Sequence, residues 1–213
     1  MKKHIIIGID FSITSPAVTI ITPSRVDIWS VMNDRDAMKL PEHETLCIRQ
    51  LAHPNEISVS CWGEDNHEGR EMCIADRISD AIQTSLTGAE CRNSQICVAI
   101  EGYSFGSKNT FAHKIGEATG CVIASLSRDL PRRFDSTVKF FRPSPPSVKK
   151  SVGAKQKDGK QGVYDAFSER FNVNLMEVME KKKLAGPITD ICDSWACSVW
   201  MQNYIDNLNQ TEN

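Results

Sequence analysis

Four acidic residues at the ends of apolar segments constrain the fold of this chain more than any other feature. Asp10 directly follows a β-branched apolar run, and Glu101 follows a second such run near the middle of the chain. Uninterrupted β-branched runs that end at turn residues are typical of short buried strands, so both carboxylates are expected where a buried sheet meets solvent. Asp190 and Asp193 are spaced i, i+3, and in a helix they would share one face. The sequence therefore predicts that three elements bring these acids together.

Such a cluster of acids is typical of a metal site. Carboxylates a few ångströms apart repel each other, and the pKa of at least one rises unless a cation is bound. Mg²⁺ and Mn²⁺ prefer oxygen ligands, and two such ions roughly 4 Å apart stabilise the attacking and leaving oxygens of phosphodiester hydrolysis. The pattern predicts a site for two Mg²⁺ ions, with Mn²⁺ able to substitute. The alternative is that each acid is an isolated strand-end or helix-cap residue.

The composition predicts one soluble domain inside the cell. The chain has 213 residues and is 40% hydrophobic, which is enough for one substantial core and short for two. No apolar run reaches membrane-spanning length, and the run before Asp10 is too short for a signal peptide, so we expect no membrane partner. The eight cysteines form no Cys-x-x-Cys pair and suit small buried side chains in a reducing compartment. We therefore expect a cytoplasmic protein.

A local basic segment contrasts with the slightly acidic chain as a whole. The net charge is -2, so a nucleic-acid partner would have to be met by a local patch. Between residues 139 and 160 the chain carries a single acid, Asp158, among many basic residues. These are Lys139, Arg142, Lys149, Lys150, Lys155, Lys157 and Lys160. Because Pro-rich turns adjoin this segment and so few acids balance it, we favour phosphate contact over a solvated surface loop.

The remaining apolar pattern predicts strands and helices in a definite order. Residues 17–21 and 26–32 predict the second and third strands of an antiparallel meander. Residues 45–51 could form a further short strand, and residues 57–62 alternate as a strand would. Apolar residues at helical spacing predict helices at 68–86, 109–126, 163–171, 175–183 and 190–203, with a strand at 138–141.

Five short motifs follow one another across nearly the whole chain. They are Gly8-Ile9-Asp10-x-Ser12-x-Thr14-Ser15-Pro16; Ile100-Glu101 followed by Phe105 and Lys108-Asn109; Gly116 with Gly120; Val148-Lys149-Lys150-x-Val152-Gly153 with Lys160; and Asp190-x-x-Asp193-Ser194-x-Ala196. In this order they resemble the RuvC family of Holliday junction resolvases, in a variant closest to phage and viral members. Each motif alone is weak, but the ordered set with all four acids is specific.

This resemblance implies a fold and a domain organisation. The implied class is α/β, with an RNase H-like fold: a mixed five-stranded sheet, made of a three-stranded antiparallel meander plus parallel strands, flanked by helices. One nuclease domain would span residues 1–207, with a segment at about 33–94 that is longer than the family core. Residues 208–213 would form a flexible C-terminal tail. For a viral or phage member, the cytoplasm is that of the host cell.

The same resemblance implies an activity. Family members work as homodimers that nick two opposed strands of a four-way DNA junction with the help of divalent metal ions. The implied metal ligands are Asp10, Glu101, Asp190 and Asp193. Lys149 or Lys150, together with Lys160, would match the basic residues near the scissile phosphate. The predicted helix at 109–126 would match the dimer interface.

Further residues are implied to contact branched DNA. Tyr103 or Phe105 would correspond to the aromatic side chain that stacks on an unpaired base at the junction centre. An aromatic ring packed over the sheet edge would have the same sequence signature. The full set of predicted DNA contacts is Ser12, Tyr103, Phe105, Lys108, Asn109, Lys149, Lys150, Lys155, Lys157 and Lys160.

Two other functions are compatible with this sequence. A nuclease of RNA:DNA hybrids, branched intermediates or flaps would keep the fold and change the substrate. A non-catalytic junction-binding protein would use the same fold without hydrolysis, although acids at all four positions disfavour it. Actin-like ATPases also begin with Gly-x-Asp near a meander, but they need a second such domain, for which this chain is too short.

Overall fold

The computed structural model describes residues 3–11, 16–32, 39, 46–51, 67–92, 94–102 and 112–211. The strand predicted at 57–62 lies outside these ranges. Within them, the chain forms one mixed sheet with helices on both faces. This arrangement confirms the predicted α/β class.

The sheet is built around two buried strands from distant parts of the chain. Its strands are β1 (Lys3–Asp10), β2 (Ala17–Ile21), β3 (Val26–Val31), β4 (Leu46–Leu51), β5 (Ser94–Ile100) and β6 (Thr137–Phe141). Their order across the sheet is β4-β3-β2-β1-β5-β6. β1, β2 and β3 form the predicted antiparallel meander, while β5 runs parallel to β1 and β6 parallel to β5.

The described residues form a sheet of six strands, so the predicted count of five is wrong by one edge strand. The additional strand is β4, which pairs in parallel with β3. It lies within the segment 45–51 that the sequence marked as a further short strand. Its sequence, Leu-Cys-Ile-Arg-Gln-Leu, mixes apolar and polar residues without regular alternation, so its signal was weaker than that of the central strands.

Helices cover the two faces of the sheet unequally. They are α1 (His67–Ser85), α2 (Gly88–Cys91), α3 (Ala112–Phe134), α4 (Pro145–Ser151), α5 (Gly159–Phe171), α6 (Leu175–Val178) and α7 (Ile188–Thr211). Ile5, Ile7 and Ile9 of β1 pack with α1 and α3, whereas Ile6 faces the core formed with α5 and α7. None of these described helices is long and apolar enough to cross a bilayer.

Three helix ends differ from the sequence prediction. α3 continues past residue 126 because its last turns bury Leu130 and Phe134. α6 ends at Val178 rather than at residue 183, and Glu180 beyond it has a left-handed φ of 52° that is incompatible with a continuing helix. α7 continues to Thr211, inside the segment predicted as a tail.

α7 lies directly against the backbone of β1 at Gly8. A Cβ atom on Gly8 would lie 2.2 Å from the carbonyl oxygen of Ser194 and 2.5 Å from the backbone nitrogen of Ser198. Only glycine permits this approach. Thr19, which pairs with Gly8 in the sheet, adds a buried hydrogen bond of 2.8 Å between its hydroxyl and that of Ser194. Gly8 and Asp10 share one face of β1, so this contact places Asp10 beside the first turns of α7.

Candidate metal centre

The structure brings the four predicted acids to one edge of the sheet. Asp10 is the last residue of β1, and Glu101 directly follows β5. The backbone N–H of Glu101 donates to the carbonyl of Ile9 at 3.2 Å, which holds Glu101 beside the end of β1. Asp190 and Asp193 lie in the first turns of α7, the helix that packs on β1. The acids thus come from two parallel strands and one helix.

The carboxylates of this cluster interact strongly with one another. Burial raises the pKa of Asp10 well above its usual value, and the charges of Asp193, Asp190 and Glu101 raise it further. Burial and the charge of Asp193 raise the pKa of Glu101 to about 7. The pKa of Asp193 is also raised, mainly by burial, and the charge of Asp190 adds to this effect. The site therefore favours either protons or a bound cation.

Asp190 has one carboxylate oxygen that no described residue hydrogen-bonds. The side chain is buried, and its Oδ2 has no partner among the residues that the structure describes. Its Oδ1 accepts a hydrogen bond of 3.2 Å from the hydroxyl of Thr189. A buried and unpaired carboxylate oxygen is costly, and a hard divalent cation would satisfy it. This oxygen-only set of donors fits Mg²⁺ or Mn²⁺ by ligand type.

In the structure, the side chains of the acid cluster are not arranged around a single metal position. Among the residues that the structure describes, no three His, Cys, Asp or Glu side chains are placed so that they could hold one metal ion. Mutual repulsion favours separated carboxylates, so metal binding would require side-chain rotations on the backbone frame that β1, β5 and α7 provide.

Two of the predicted lysines flank the acids. Lys160, at the start of α5, places its Nζ 3.9 Å from Oδ2 of Asp193. Lys149, in the last turn of α4, lowers the pKa of both Glu101 and Asp193 through its charge. The Lys160 side chain is 60% exposed, so its ion pair adds little stability and leaves the ammonium accessible.

The other predicted site residues are either exposed and not bonded to the acids, or lie outside the described residues. Lys150, Lys155 and Lys157 are exposed, and the described residues show no hydrogen bond or ion pair between them and the acids. The remaining predicted DNA contacts lie outside the described residues and stay predictions: Ser12, Tyr103, Phe105, Lys108 and Asn109.

The sequence interpretation assigned no role to several residues that shape this site. Gly8 had a signal, because a glycine inside a β-branched run often marks a close backbone approach. Cys197 lies one helical turn beyond Asp193, and its pKa is raised well above the usual value by burial and then by Glu101 and Asp10. The contact between Thr189 and Asp190 has no sequence signal.

The raised pKa values predict that, without divalent ions, the stability of the protein decreases as the pH rises. Glu101 ionises near 4.5 in the unfolded chain and at about 7 in the folded protein, so the stability that it contributes below pH 4.5 is lost as the pH rises through 7. The loss from Glu101 amounts to at most about 3 kcal/mol. Thermal melting in a chelator should therefore give a lower Tm at about pH 7.5 than at about pH 5, and Mg²⁺ should restore it.

The variant Glu101→Gln provides the control for this prediction. It removes the titrating group, so its Tm in a chelator should depend less on pH than that of the wild type. A wild-type Tm that is constant with pH and insensitive to Mg²⁺ would contradict the electrostatic coupling described above.

Comparison with solved structures defines the fold class. The structure is similar to that of Thermus thermophilus RuvC in complex with a Holliday junction substrate, with 15% identity, a TM-score of 0.51 and coverage of 95% of each chain. A second structure, of Thermus thermophilus RuvC itself, gives the same values. The crystal structure of the yeast mitochondrial Holliday junction resolvase Ydc2 has 15% identity and a TM-score of 0.49, covering 99% of this chain and 84% of that chain. No protein-family model and no curated protein matches the sequence.

The protein therefore has an RNase H-like fold. The antiparallel meander, the parallel strands β5 and β6 and the covering helix α7 all belong to that architecture. Within this class, its fold is similar to that of RuvC over 95% of the chain, which confirms the fold expected from the sequence motifs. At this level of identity, the likeness concerns the fold.

Proposed function

We propose that this protein is a structure-selective endonuclease that resolves four-way DNA junctions by symmetric, metal-dependent hydrolysis of phosphodiester bonds. The main support is the cluster of Asp10, Glu101, Asp190 and Asp193 at one edge of a RuvC-type sheet. The solved RuvC with a similar fold is in complex with a Holliday junction substrate. Fold and acid cluster thus point to the same chemistry.

The four acids would hold the metal ions. Asp10 and Glu101 would present their carboxylates from the sheet edge, and Asp190 and Asp193 from α7. Bound Mg²⁺ would supply an activated water and stabilise the leaving oxygen, giving 5′-phosphate and 3′-hydroxyl ends. The burial that raises the pKa of Asp10 and Glu101 also strengthens their attraction for a divalent cation.

The lysines would bind the DNA backbone. Lys149 and Lys160 lie beside the acids, where their charges would offset the negative charge that develops on the scissile phosphate. Lys150, Lys155 and Lys157 are exposed on the same segment and would contact phosphates further from the scissile bond. Such contacts would make junction binding sensitive to salt.

Symmetric cleavage requires two active sites, and we propose that α3 forms a homodimer interface. This helix contains most of the segment 109–126 that the sequence resemblance assigned to that role. The small residues Gly120, Ala124 and Ser127 are exposed on one side of α3. They would allow a second copy of the helix to approach closely across a two-fold axis.

A substrate panel tests the proposed function. An immobile four-way DNA junction, a linear duplex, a DNA flap and an RNA:DNA hybrid would be incubated with the protein in Mg²⁺, and in Mn²⁺ as a second condition. We expect paired, symmetric nicks near the crossover of the junction and no cleavage of the duplex. Cleavage of only the hybrid or the flap would make the substrate assignment wrong, and a gel shift of the junction without cleavage would favour a binding protein.

A further inference from the structure

Thr189 and Asp190 form a buried pair at the start of α7. Thr189 is 4% exposed and Asp190 is 7% exposed. The hydroxyl of Thr189 lies 3.2 Å from Oδ1 of Asp190. An ionised carboxylate only accepts hydrogen bonds, so the hydroxyl donates. The pair joins a residue without an assigned role to one of the four acids.

The hydroxyl of Thr189 is not needed to cap the helix. A threonine near a helix start usually accepts a hydrogen bond from a free backbone N–H of the first turn. Here the backbone N–H of Thr189 already donates to the carbonyl of Ala185, and that of Ile191 donates to the carbonyl of Pro187. These two backbone donors are satisfied by carbonyls of the preceding loop. The hydroxyl is therefore free to bind the carboxylate.

This hydrogen bond makes the two oxygens of Asp190 unequal. Oδ1 accepts the hydrogen bond from Thr189, whereas Oδ2 is buried and has no hydrogen-bond partner within the described part of the chain. A hydrogen bond to one oxygen restricts rotation of the carboxylate, and it leaves the other oxygen as the one available for a ligand. The charge of Asp190 acts on both Asp10 and Asp193, so this carboxylate lies within the cluster.

We propose that Thr189 is a positioning residue for the metal centre, which holds Asp190 so that Oδ2 is presented to a divalent ion. The proposal rests on the proposed function, because it assigns Asp190 as a ligand. Outer hydrogen bonds of this kind orient metal ligands, and their removal typically weakens metal binding 10- to 100-fold. Thr189 itself contacts neither ion nor DNA in this proposal.

The test compares three variants of the full chain. Thr189→Val removes the hydroxyl and keeps the side-chain shape, whereas Thr189→Ser keeps the hydroxyl. Thr22→Val is the matched control, because Thr22 is also buried and hydrogen-bonded but lies in the turn after β2, beyond the end of the sheet opposite Asp10. The readouts are the Kd for Mn²⁺ from calorimetry and the Mg²⁺ concentration that gives half-maximal junction cleavage.

We expect Thr189→Val to raise the Kd for Mn²⁺ and the required Mg²⁺ concentration by about 10-fold or more. Thr189→Ser and Thr22→Val should stay close to the wild type. A lower Tm in Thr189→Val with unchanged Mn²⁺ affinity would show a purely structural role and overturn the proposal. If Thr189→Val does not fold, Thr189→Ala replaces it in the same titration.

The two proposals fail in different ways. A wild-type protein that binds no Mn²⁺ would contradict the metal centre, and both proposals with it. A wild-type protein that binds Mn²⁺ but cuts no junction would contradict the proposed function alone, and the Mn²⁺ titration would still decide the role of Thr189.

Discussion

Replacing Asp10 with asparagine is expected to abolish junction cleavage and to leave junction binding intact. The asparagine side chain would keep the shape of the aspartate but lose the negative charge that a hard cation requires. In the proposed mechanism several kcal/mol of transition-state stabilisation come from the metal ions, so we expect the cleavage rate to fall by about 10³-fold or more. In the proposed function, binding to the junction depends on the lysines, so it should not weaken. The measurement is junction cleavage in Mg²⁺ beside a gel shift at the same salt concentration.

Although Asp10→Asn should abolish cleavage, it should make the metal-free protein more stable. Asp10 is buried and repelled by three other acids, so Asp10→Asn should raise the Tm in a chelator and reduce the gain from added Mg²⁺. Asp80→Asn is the matched control, since Asp80 is exposed on α1, on the other face of the sheet. It should change neither cleavage nor Mg²⁺ response. Retained cleavage in Asp10→Asn, or lost junction binding, would contradict the proposed site.

Replacing Gly8 with alanine is expected to cause the largest loss of stability. The new Cβ would lie 2.2 Å from the carbonyl oxygen of Ser194 and 2.5 Å from the nitrogen of Ser198, and both are backbone atoms of α7. A rotamer change cannot relieve that overlap, so α7 must move away from β1. Overpacking of a core typically costs 1–3 kcal/mol, and we expect about 3 kcal/mol or more here. Chemical denaturation measures the difference in the free energy of unfolding.

A second glycine provides the control for this prediction. Gly88 opens α2, and a Cβ there would meet no atom of the described residues within 4 Å. Gly88→Ala should therefore be neutral or stabilising, by up to about 1 kcal/mol. Because α7 carries Asp190 and Asp193, any Gly8→Ala protein that folds should also lose cleavage. A Gly8→Ala protein as stable as the wild type would contradict the close packing of α7 on β1.

The central strands and the acids at their ends could be predicted because their pattern is local. β1 and β5 are buried on both faces, so their sequences are nearly continuous runs of apolar residues, and Asp10 and Glu101 mark where each run stops. The i, i+3 spacing of Asp190 and Asp193 was enough to predict that a helix would place both side chains on one face. These observations needed no knowledge of the tertiary structure.

Other features depend on contacts between distant residues. β4 is an edge strand with a mixed sequence, and its own residues do not signal that it pairs in parallel with β3. α6 ends early, at Val178, and Glu180 beyond it is left-handed, a conformation that a sequence without glycine or asparagine there does not signal. The bond between Thr189 and Asp190 depends on where α7 begins, and a sequence predicts that boundary least well.

Ribosomal synthesis delivers the two halves of the acid cluster at different times. β1 and β5 leave the ribosome with Asp10 and Glu101 long before α7 is translated. A chain that stops before residue 188 lacks Asp190 and Asp193, and it also leaves the Gly8 face of β1 without its covering helix. Incomplete translation products should therefore be poorly folded and unable to cut DNA, so the proposed nuclease would become active only once α7 has been made.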